Sequence, residues 1–169
     1  MLFEVLIIAV FPAALLVAAV TDLHDFTIPN WVSILLLGAY VATGVFIGAP
    51  IDRIVIGLGF GAIILVIGFA LFAVKFFGGG DAKLFAACAP WIGFESYLEY
   101  LTYVALAGGV FGLLLLAFRK APPLPAYAHA PWLMRIHQNQ HEIPYGVAIC
   151  IGGLLAMPSM PYFKMVFPS

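Results

Sequence analysis

The chain has 169 residues, of which 64% are hydrophobic and 9% are charged, with a mean hydropathy of +1.13 and a net charge of −1. Soluble domains carry about 25% charged residues, so this composition excludes an ordinary soluble globular protein. It also argues against nucleic acid as a partner, because proteins that bind nucleic acid normally show a basic patch. The composition predicts an all-α integral membrane protein.

Six apolar runs follow one another along the chain, and they cover residues 3–21, 31–48, 54–77, 82–94, 98–118 and 143–160. A transmembrane helix takes about 20 mostly apolar residues, so the chain has room for roughly six. The fourth run is short enough to be re-entrant. Glu4 stands where a signal peptide has basic residues, so we interpret the first run as a retained span. We predict a polytopic bundle of about six transmembrane helices, forming a single domain over residues 1–169 with no separate soluble domain.

The boundaries between the runs are marked by proline, glycine and polar residues. Pro29 is expected to stop the preceding element, and Asn30 to cap the next helix. The glycines of Gly78-Gly79-Gly80 are expected to break the backbone and to let a substrate approach closely. Residues 119–142 are interpreted as a proline-rich, polar connector. Within the third run, Gly57 and Gly61 have the GxxxG spacing that lets membrane helices approach closely.

The orientation in the membrane follows from the basic residues. With six spans, one face holds five of them and the other holds Arg53 and Lys164. The larger group is expected in the cytoplasm, which places both termini on the non-cytoplasmic side. Its members are Lys75, Lys83, Arg119, Lys120 and Arg135.

Two acidic residues lie where an apolar run meets its polar boundary: Asp22 follows the first run and Asp81 precedes the fourth. In antiparallel spans both fall on one side of the bilayer, and ionisable groups at membrane depth are usually functional. Two neighbouring carboxylates cannot both ionise cheaply, so they share a proton. The ionised member can take a proton from water while the protonated member polarises a peptide carbonyl. The pair predicts an intramembrane aspartyl protease.

Each acid also has a simpler interpretation. Gly80 could end one helix and Asp81 could cap the next, while Asp22 could be an interfacial acid that closes the first span. The occurrence of both acids on one face, each inside a longer motif, favours the catalytic interpretation. Asp25, three residues after Asp22, is interpreted as a loop acid.

Other ionisable residues leave several roles open. Lys83 could stabilise an ionised Asp81, contact an acidic residue of a substrate, or extend to the interface. His137 and His141 have the i, i+4 spacing of a metal pair, but the sequence shows no third ligand and no CxxC. We therefore interpret the histidines as part of a solvated loop and expect no metal or cofactor.

Three motifs, in this order, resemble those of the type IV prepilin peptidase family, within the wider group of GxGD aspartyl proteases. The family's first catalytic aspartate precedes an (I/L)-P-(N/D) triplet by six residues, as Asp22 precedes Ile28-Pro29-Asn30. Its second lies in GxGDxK, matched by Gly78, Gly80, Asp81 and Lys83. The segment Ile143-Pro144-Tyr145-Gly146 is similar to the family's last-helix motif.

The resemblance implies that Asp22 and Asp81 are catalytic and that the other motif residues support them. It also implies an aspartic-type endopeptidase of the cytoplasmic membrane, which removes the short basic leader from type IV prepilin-like precursors at the cytoplasmic face. The implied partners are prepilin and pseudopilin precursors, membrane lipid, and a pilus or secretion assembly machinery. The supporting residues are Gly78, Gly80, Lys83, Ile28, Pro29, Asn30, Pro144, Tyr145 and Gly146.

The chain departs from the larger members of this family. Those relatives carry an N-terminal cytoplasmic segment with zinc-binding cysteines, which is associated with N-methylation of the cleaved pilin. Here Cys88 and Cys150 lie inside apolar runs and form no CxxC. The chain thus resembles the short branch that lacks the methyltransferase segment and serves tight-adherence (Flp) pili. The loop after Asp22 also has His24-Asp25-Phe26-Thr27 where basic residues are usual.

Two other functions are compatible with the composition. A small proton-coupled transporter or channel could use the two aspartates as a relay, which predicts acids at mid-membrane rather than in non-helical boundaries at one face. A non-catalytic scaffold of a pilus or secretion assembly would need no intact aspartate motif, and the complete GxGD argues against it.

Overall fold

The computed structural model describes residues 9–76, 78–122, 130–139 and 142–167. Within these ranges the chain forms eight α-helices and no strand. Glu4, the prolines at positions 123 and 125, and His141 lie outside the described residues. The helices are α1 (Val10–Asp25), α2 (Asn30–Phe46), α3 (Ile51–Ala73), α4 (Gly79–Ile92), α5 (Phe94–Lys120), α6 (Pro131–Gln138), α7 (Gly146–Ala156) and α8 (Pro161–Val166).

Helix α4 occupies the centre of the bundle. Its residues from Leu84 to Ile92 are all buried, as are Asp81 and Ala82. It packs against α2, α3, α5 and α7, and the Trp91 indole N–H donates a hydrogen bond to the Leu36 carbonyl of α2 at 2.9 Å. A helix that is apolar on all sides is normally enclosed by protein or lipid. The short fourth run is therefore the core around which the other helices pack.

The longest helices lie at the outside of the bundle. Three helical segments are long and apolar enough to cross a membrane: Ile51–Ala73, Phe94–Lys120 and Gly146–Val166. The first two expose most of their apolar side chains, such as Val66 and Leu113, each 69% exposed. Such exposure is unfavourable in water and favourable in lipid. The prediction of a polytopic, all-helical membrane bundle is confirmed, whereas the number of six spans stays a prediction.

Two predicted boundaries are wrong. Helix α1 continues past the first apolar run, because the Phe26 N–H still bonds to the Asp22 carbonyl at 2.9 Å. Helix α4 begins at Gly79, and the Ala82 N–H bonds to the Gly78 carbonyl at 3.1 Å. The two aspartates therefore lie in terminal helical turns, not in non-helical boundaries. Hydropathy marks where apolar side chains end, whereas backbone hydrogen bonds decide where a helix ends.

The described part of the connector between the fifth and sixth runs contains a helix that the sequence did not predict. It contains α6, with Pro131 at its first position, where a missing N–H has no cost. Ile136 is buried, and His137 lies with Nε2 at 2.9 Å from the Ala121 carbonyl oxygen. The prediction that His137 lies in a solvated loop is thus wrong, because the apolar side of α6 packs on the bundle.

Glycines let the outer helices approach the core. A Cβ at Gly61 would lie 3.0 Å from the Ala86 carbonyl oxygen of α4, and one at Gly68 would lie 2.9 Å from the Ala82 Cβ. Gly57 faces the Tyr40 hydroxyl of α2. The close approach predicted from the GxxxG spacing is therefore confirmed, and its partners are helices of the same chain.

Candidate active site

A cavity of 550 Å³ opens at the end of the bundle where α1 finishes and where α4 and α7 begin. Asp22 and Asp81, the two acids of the sequence motifs, both line it. Both side chains are enclosed, since Asp22 is 5% exposed and Asp81 is 9% exposed. Two buried carboxyl groups in one cavity form the most unusual polar feature of this apolar chain.

Asp22 is held by a backbone group from the far end of the sequence. The Gly146 N–H, at the first turn of α7, donates a 2.6 Å hydrogen bond to Asp22 Oδ2. Asp22 lies beyond the first apolar run, at the polar end of the bundle. The pKa of Asp22 is raised to about 6, mainly by burial; the Gly146 hydrogen bond opposes the rise and the charge of Glu142 adds to it.

Asp81 occupies the third position of α4, where the side chain can reach back to the start of the helix. Its carboxylate accepts a hydrogen bond from the backbone N–H of Gly78. Gly78, and not Asp81, is the N-cap residue of α4. The pKa of Asp81 is raised to about 7, mainly by burial and also by the charge of Asp22, while the Gly78 hydrogen bond opposes the rise. The charge of one carboxyl group thus affects the pKa of the other, as expected for a pair that shares a proton.

The motif Ile28-Pro29-Asn30 lies directly against the GxGDxK motif. Lys83 Nζ donates a 2.9 Å hydrogen bond to Asn30 Oδ1. A Cβ at Gly80 would lie 3.2 Å from the Ile28 Cβ. The triplet therefore packs on the first turn of α4 and fixes its position beside Asp22.

Several expectations for these motif residues need correction. Asn30 is the first residue of α2 and makes no capping hydrogen bond, because the preceding Pro29 is the N-cap. The glycines before Asp81 do not provide a sharp turn: Gly78 has a φ of −69° and Gly80 is helical. Their small size serves close packing instead.

Asp25 faces away from the cavity. Its Oδ1 lies 3.3 Å from Arg135 Nη1 and 3.1 Å from His24 Nδ1, and its side chain is 53% exposed. These hydrogen bonds, that of His24 first, hold the pKa of Asp25 below its ordinary value. One helical turn of α1 thus separates an enclosed carboxyl group from a surface ion pair.

A clamp around Arg119 positions the segment that leads into α7. Its Nε donates to the Ile136 carbonyl at 3.0 Å and its Nη2 donates to the Glu142 carbonyl at 2.6 Å. On the other side of α6, Arg135 Nη1 donates to the His24 carbonyl at 3.2 Å. Helix α6 is therefore tied to both α1 and α5, and this arrangement places Tyr145 at the cavity wall.

The cavity wall includes residues that the motifs did not predict. Pro144 and Gly146 are buried behind it, while Tyr145 lines it. A sequence signal existed for Thr27 and Glu142, since each directly precedes a motif. The missed residues are Phe26, Thr27, Phe72, Lys75, Phe76 and Glu142.

Among the described residues, no three or more His, Cys, Asp or Glu side chains lie together in a way that could hold a metal ion. Cys88 and Cys150 are both buried free thiols.

These features define a multi-pass membrane protein with a pair of enclosed carboxyl groups at one end of its bundle. The chain belongs to the type IV leader peptidase family, whose profile matches residues 9–113. The matched region contains both aspartates, the Ile28-Pro29-Asn30 triplet and the GxGDxK motif, while Tyr145-Gly146 lies beyond it.

Two similar proteins carry the name prepilin leader peptidase/N-methyltransferase, one from Aeromonas salmonicida and one from its strain A449. Each is 30% identical over 123 residues, which amount to 72% of this chain and 35% of the relative. The matched part therefore spans about a third of the length of these relatives. No solved structure matches the chain.

Proposed function

We propose that this protein is a membrane-embedded aspartyl endopeptidase that removes the short basic leader from type IV prepilin-like precursors. The observation that carries the proposal is that Asp22 and Asp81 line the same cavity, and that each lies within a motif of the family to which the chain belongs. The names of the two relatives support the substrate class. The machinery that assembles the cleaved product into a pilus or secretion apparatus is a further partner in this proposal.

The two carboxyl groups divide the work of peptide hydrolysis. Asp22 is the ionised member, because the Gly146 N–H at the start of α7 donates a hydrogen bond to Oδ2 and stabilises its negative charge. It takes a proton from the attacking water. Asp81, whose pKa is raised by burial and by the charge of Asp22, is the protonated member and donates a hydrogen bond to the scissile carbonyl oxygen. The developing oxyanion is thereby stabilised where it forms. When the tetrahedral intermediate collapses, the peptide C–N bond breaks and the proton held by Asp22 passes to the leaving amine.

The cavity suits a short extended peptide. Its volume of 550 Å³ lies within the usual range for ligand sites, about 300–1,000 Å³. One wall is formed by Gly78, Gly79 and Gly80, which lack side chains and so let a peptide backbone approach Asp81. The remaining motif residues support this geometry: Ile28, Pro29, Asn30 and Lys83 hold the start of α4, and Pro144, Tyr145 and Gly146 hold the start of α7.

The active site faces the cytoplasm in this proposal. Lys75 and Lys83 line the cavity, while Arg119 and Arg135 bind the segment beside it. At the opposite end, Arg53 contacts Met165. The excess of basic residues at the cavity end is typical of the cytoplasmic face, and it supports a location in the cytoplasmic membrane.

Co-expression with candidate precursors tests the proposal. The protein is produced together with a membrane-anchored precursor that has a short basic leader, and the precursor's size and new amino terminus are measured. We expect a single cleavage that removes the leader, and loss of that cleavage in Asp81→Asn. A precursor that stays intact with the wild-type protein across a panel of prepilins would contradict the proposed activity.

A further inference from the structure

A second concave surface, which we call the lateral groove, lies between α2, α3 and α4. Its volume is 490 Å³, and it is lined mainly by apolar residues. The groove runs along helices that expose apolar side chains on either side, so it opens towards lipid. Representative lining residues are Ile34, Leu37, Leu58, Ala62, Leu65 and Ala86.

The lateral groove adjoins the cavity of the carboxyl pair. Asn30 and Lys83 line both. Their mutual hydrogen bond of 2.9 Å therefore stands at the junction, with the aspartates on one side and apolar helices on the other. A chain lying in the groove would enter the cavity past these two side chains.

Ser33 supplies an unpartnered polar group inside this apolar surface. It lines the groove and is 8% exposed, and its Oγ has no hydrogen-bond partner within the described part of the chain. A buried hydroxyl without a partner is unfavourable, so such groups usually meet one. An acyl chain of a lipid has no atom that could serve, whereas a polar side chain on a peptide helix has one, once the enclosed Ser33 hydroxyl rotates towards the groove.

We infer that the lateral groove holds the apolar helical segment of the peptide substrate, with the cleaved segment extending from it into the cavity. This inference rests on the proposed function, since it names where the substrate of that site lies. At membrane depth a peptide must satisfy its backbone hydrogen bonds internally, so the occupant of the groove is a helix. Small residues such as Ala62 and Ala86 in the wall leave room for its side chains.

Site-specific photocrosslinking tests the location. A photoreactive residue is placed at Ala62 or Leu65 in the lateral groove, and at Leu106 or Val110 as controls. The controls line a separate apolar groove of 360 Å³ that is formed by α5 and α7. The probe is a precursor with a basic leader followed by an apolar segment long enough to span the membrane. We expect covalent adducts with the precursor from the lateral groove and not from the control groove. Equal adducts from both grooves, or lipid adducts alone, would overturn the inference.

The KM of a variant with a filled lateral groove provides a second test. In Ala62→Trp the indole occupies the groove, and we expect the KM for the precursor to rise at least about tenfold, which corresponds to the loss of a modest binding energy. Leu106→Trp, in the control groove, should leave KM unchanged. A wild-type protein that cleaves normally, together with an unchanged KM in Ala62→Trp, would contradict the groove assignment alone. Failure of the wild-type protein to cleave would contradict the proposed function instead.

Discussion

The backbone N–H of Gly146 and Oδ2 of Asp22 are joined by a hydrogen bond of 2.6 Å across 124 residues of sequence. Gly146 is the first residue of α7, where N–H groups lack partners within the helix and the helix dipole favours negative charge. The contact therefore stabilises an ionised Asp22. It also connects the last motif of the chain to the first and gives Tyr145-Gly146 a physical role beside the carboxyl pair.

Gly146→Ala should disturb this contact. The new Cβ would lie 2.9 Å from both the Cβ and Oδ2 of Asp22 and 3.2 Å from the Ala18 carbonyl oxygen, so α1 and α7 must separate. Because a small misplacement of a catalytic group can cost about 100-fold in rate, we expect a loss of cleavage of that order. Gly112→Ala is the matched control, since a Cβ there meets no described atom within 4 Å. Equal cleavage rates in the two variants would show that the contact is dispensable.

Asp22→Asn and Asp81→Asn should each lower cleavage at least about 100-fold, because each removes one partner of general acid–base catalysis. Both proteins should still insert in the membrane, which fractionation measures. Asp25→Asn should retain most of the activity, since Asp25 lies in a surface ion pair with Arg135. The reverse pattern, with Asp25→Asn inactive and Asp22→Asn active, would show that Asp22 is not the first catalytic acid.

Cleavage should have a bell-shaped dependence on pH. The pKa values of about 6 for Asp22 and about 7 for Asp81 are both raised. The pair therefore carries two protons at a pH below both values and none at a pH above both. Only the form with one proton contains both an acid and a base, so kcat/KM should be highest between about pH 6 and 7 and fall on either side. Asp25→Asn should give the same profile. A rate that rises steadily to pH 9 would exclude a protonated carboxyl group from the mechanism.

The three glycines before Asp81 should differ in how well they tolerate a side chain. A Cβ at Gly80 would lie 3.2 Å from Ile28, and one at Gly78 would lie 2.8 Å from Asp81 Oδ2, so Gly80→Val and Gly78→Val should lose cleavage. At Gly79 the nearest atom, in the Phe72 ring, is 3.5 Å from the Cβ position, an ordinary contact. Gly79→Ala should therefore cleave at nearly the wild-type rate. Normal cleavage by Gly80→Val would mean that the packing of the motif on Ile28 does not matter.

The hydrogen bond between Lys83 and Asn30 should appear as coupling in a double-mutant cycle. Lys83→Met and Asn30→Ala should each lower the thermal stability in detergent, and the double variant should lose less than the sum. We expect a coupling free energy of about 1 kcal/mol, because the bond is charge-assisted but exposed. Strictly additive losses would indicate that the two side chains act independently.

Local patterns singled out Asp22 and Asp81, because each lies next to an apolar run and within a short motif. The same patterns left the role of Lys83 open, since a long, flexible side chain can reach several partners. Its partner, Asn30, is 53 residues away in the sequence and is brought within 2.9 Å only when α2 packs on α4. Asp25 shows the opposite case: the motif spacing excluded it, and the fold turns it towards Arg135.

The sequence by itself determined the membrane class, the approximate positions of the apolar helices and the two acids of interest. These features depend on hydropathy and spacing over the length of one helix or less. The tertiary structure alone decided that the short helix α4 is the enclosed core and that α6 replaces a loop. It also decided that Gly146 reaches Asp22 and that the lateral groove adjoins the cavity at Asn30 and Lys83. These arrangements arise from packing between segments far apart in the chain, and hydropathy carries no information about which faces meet.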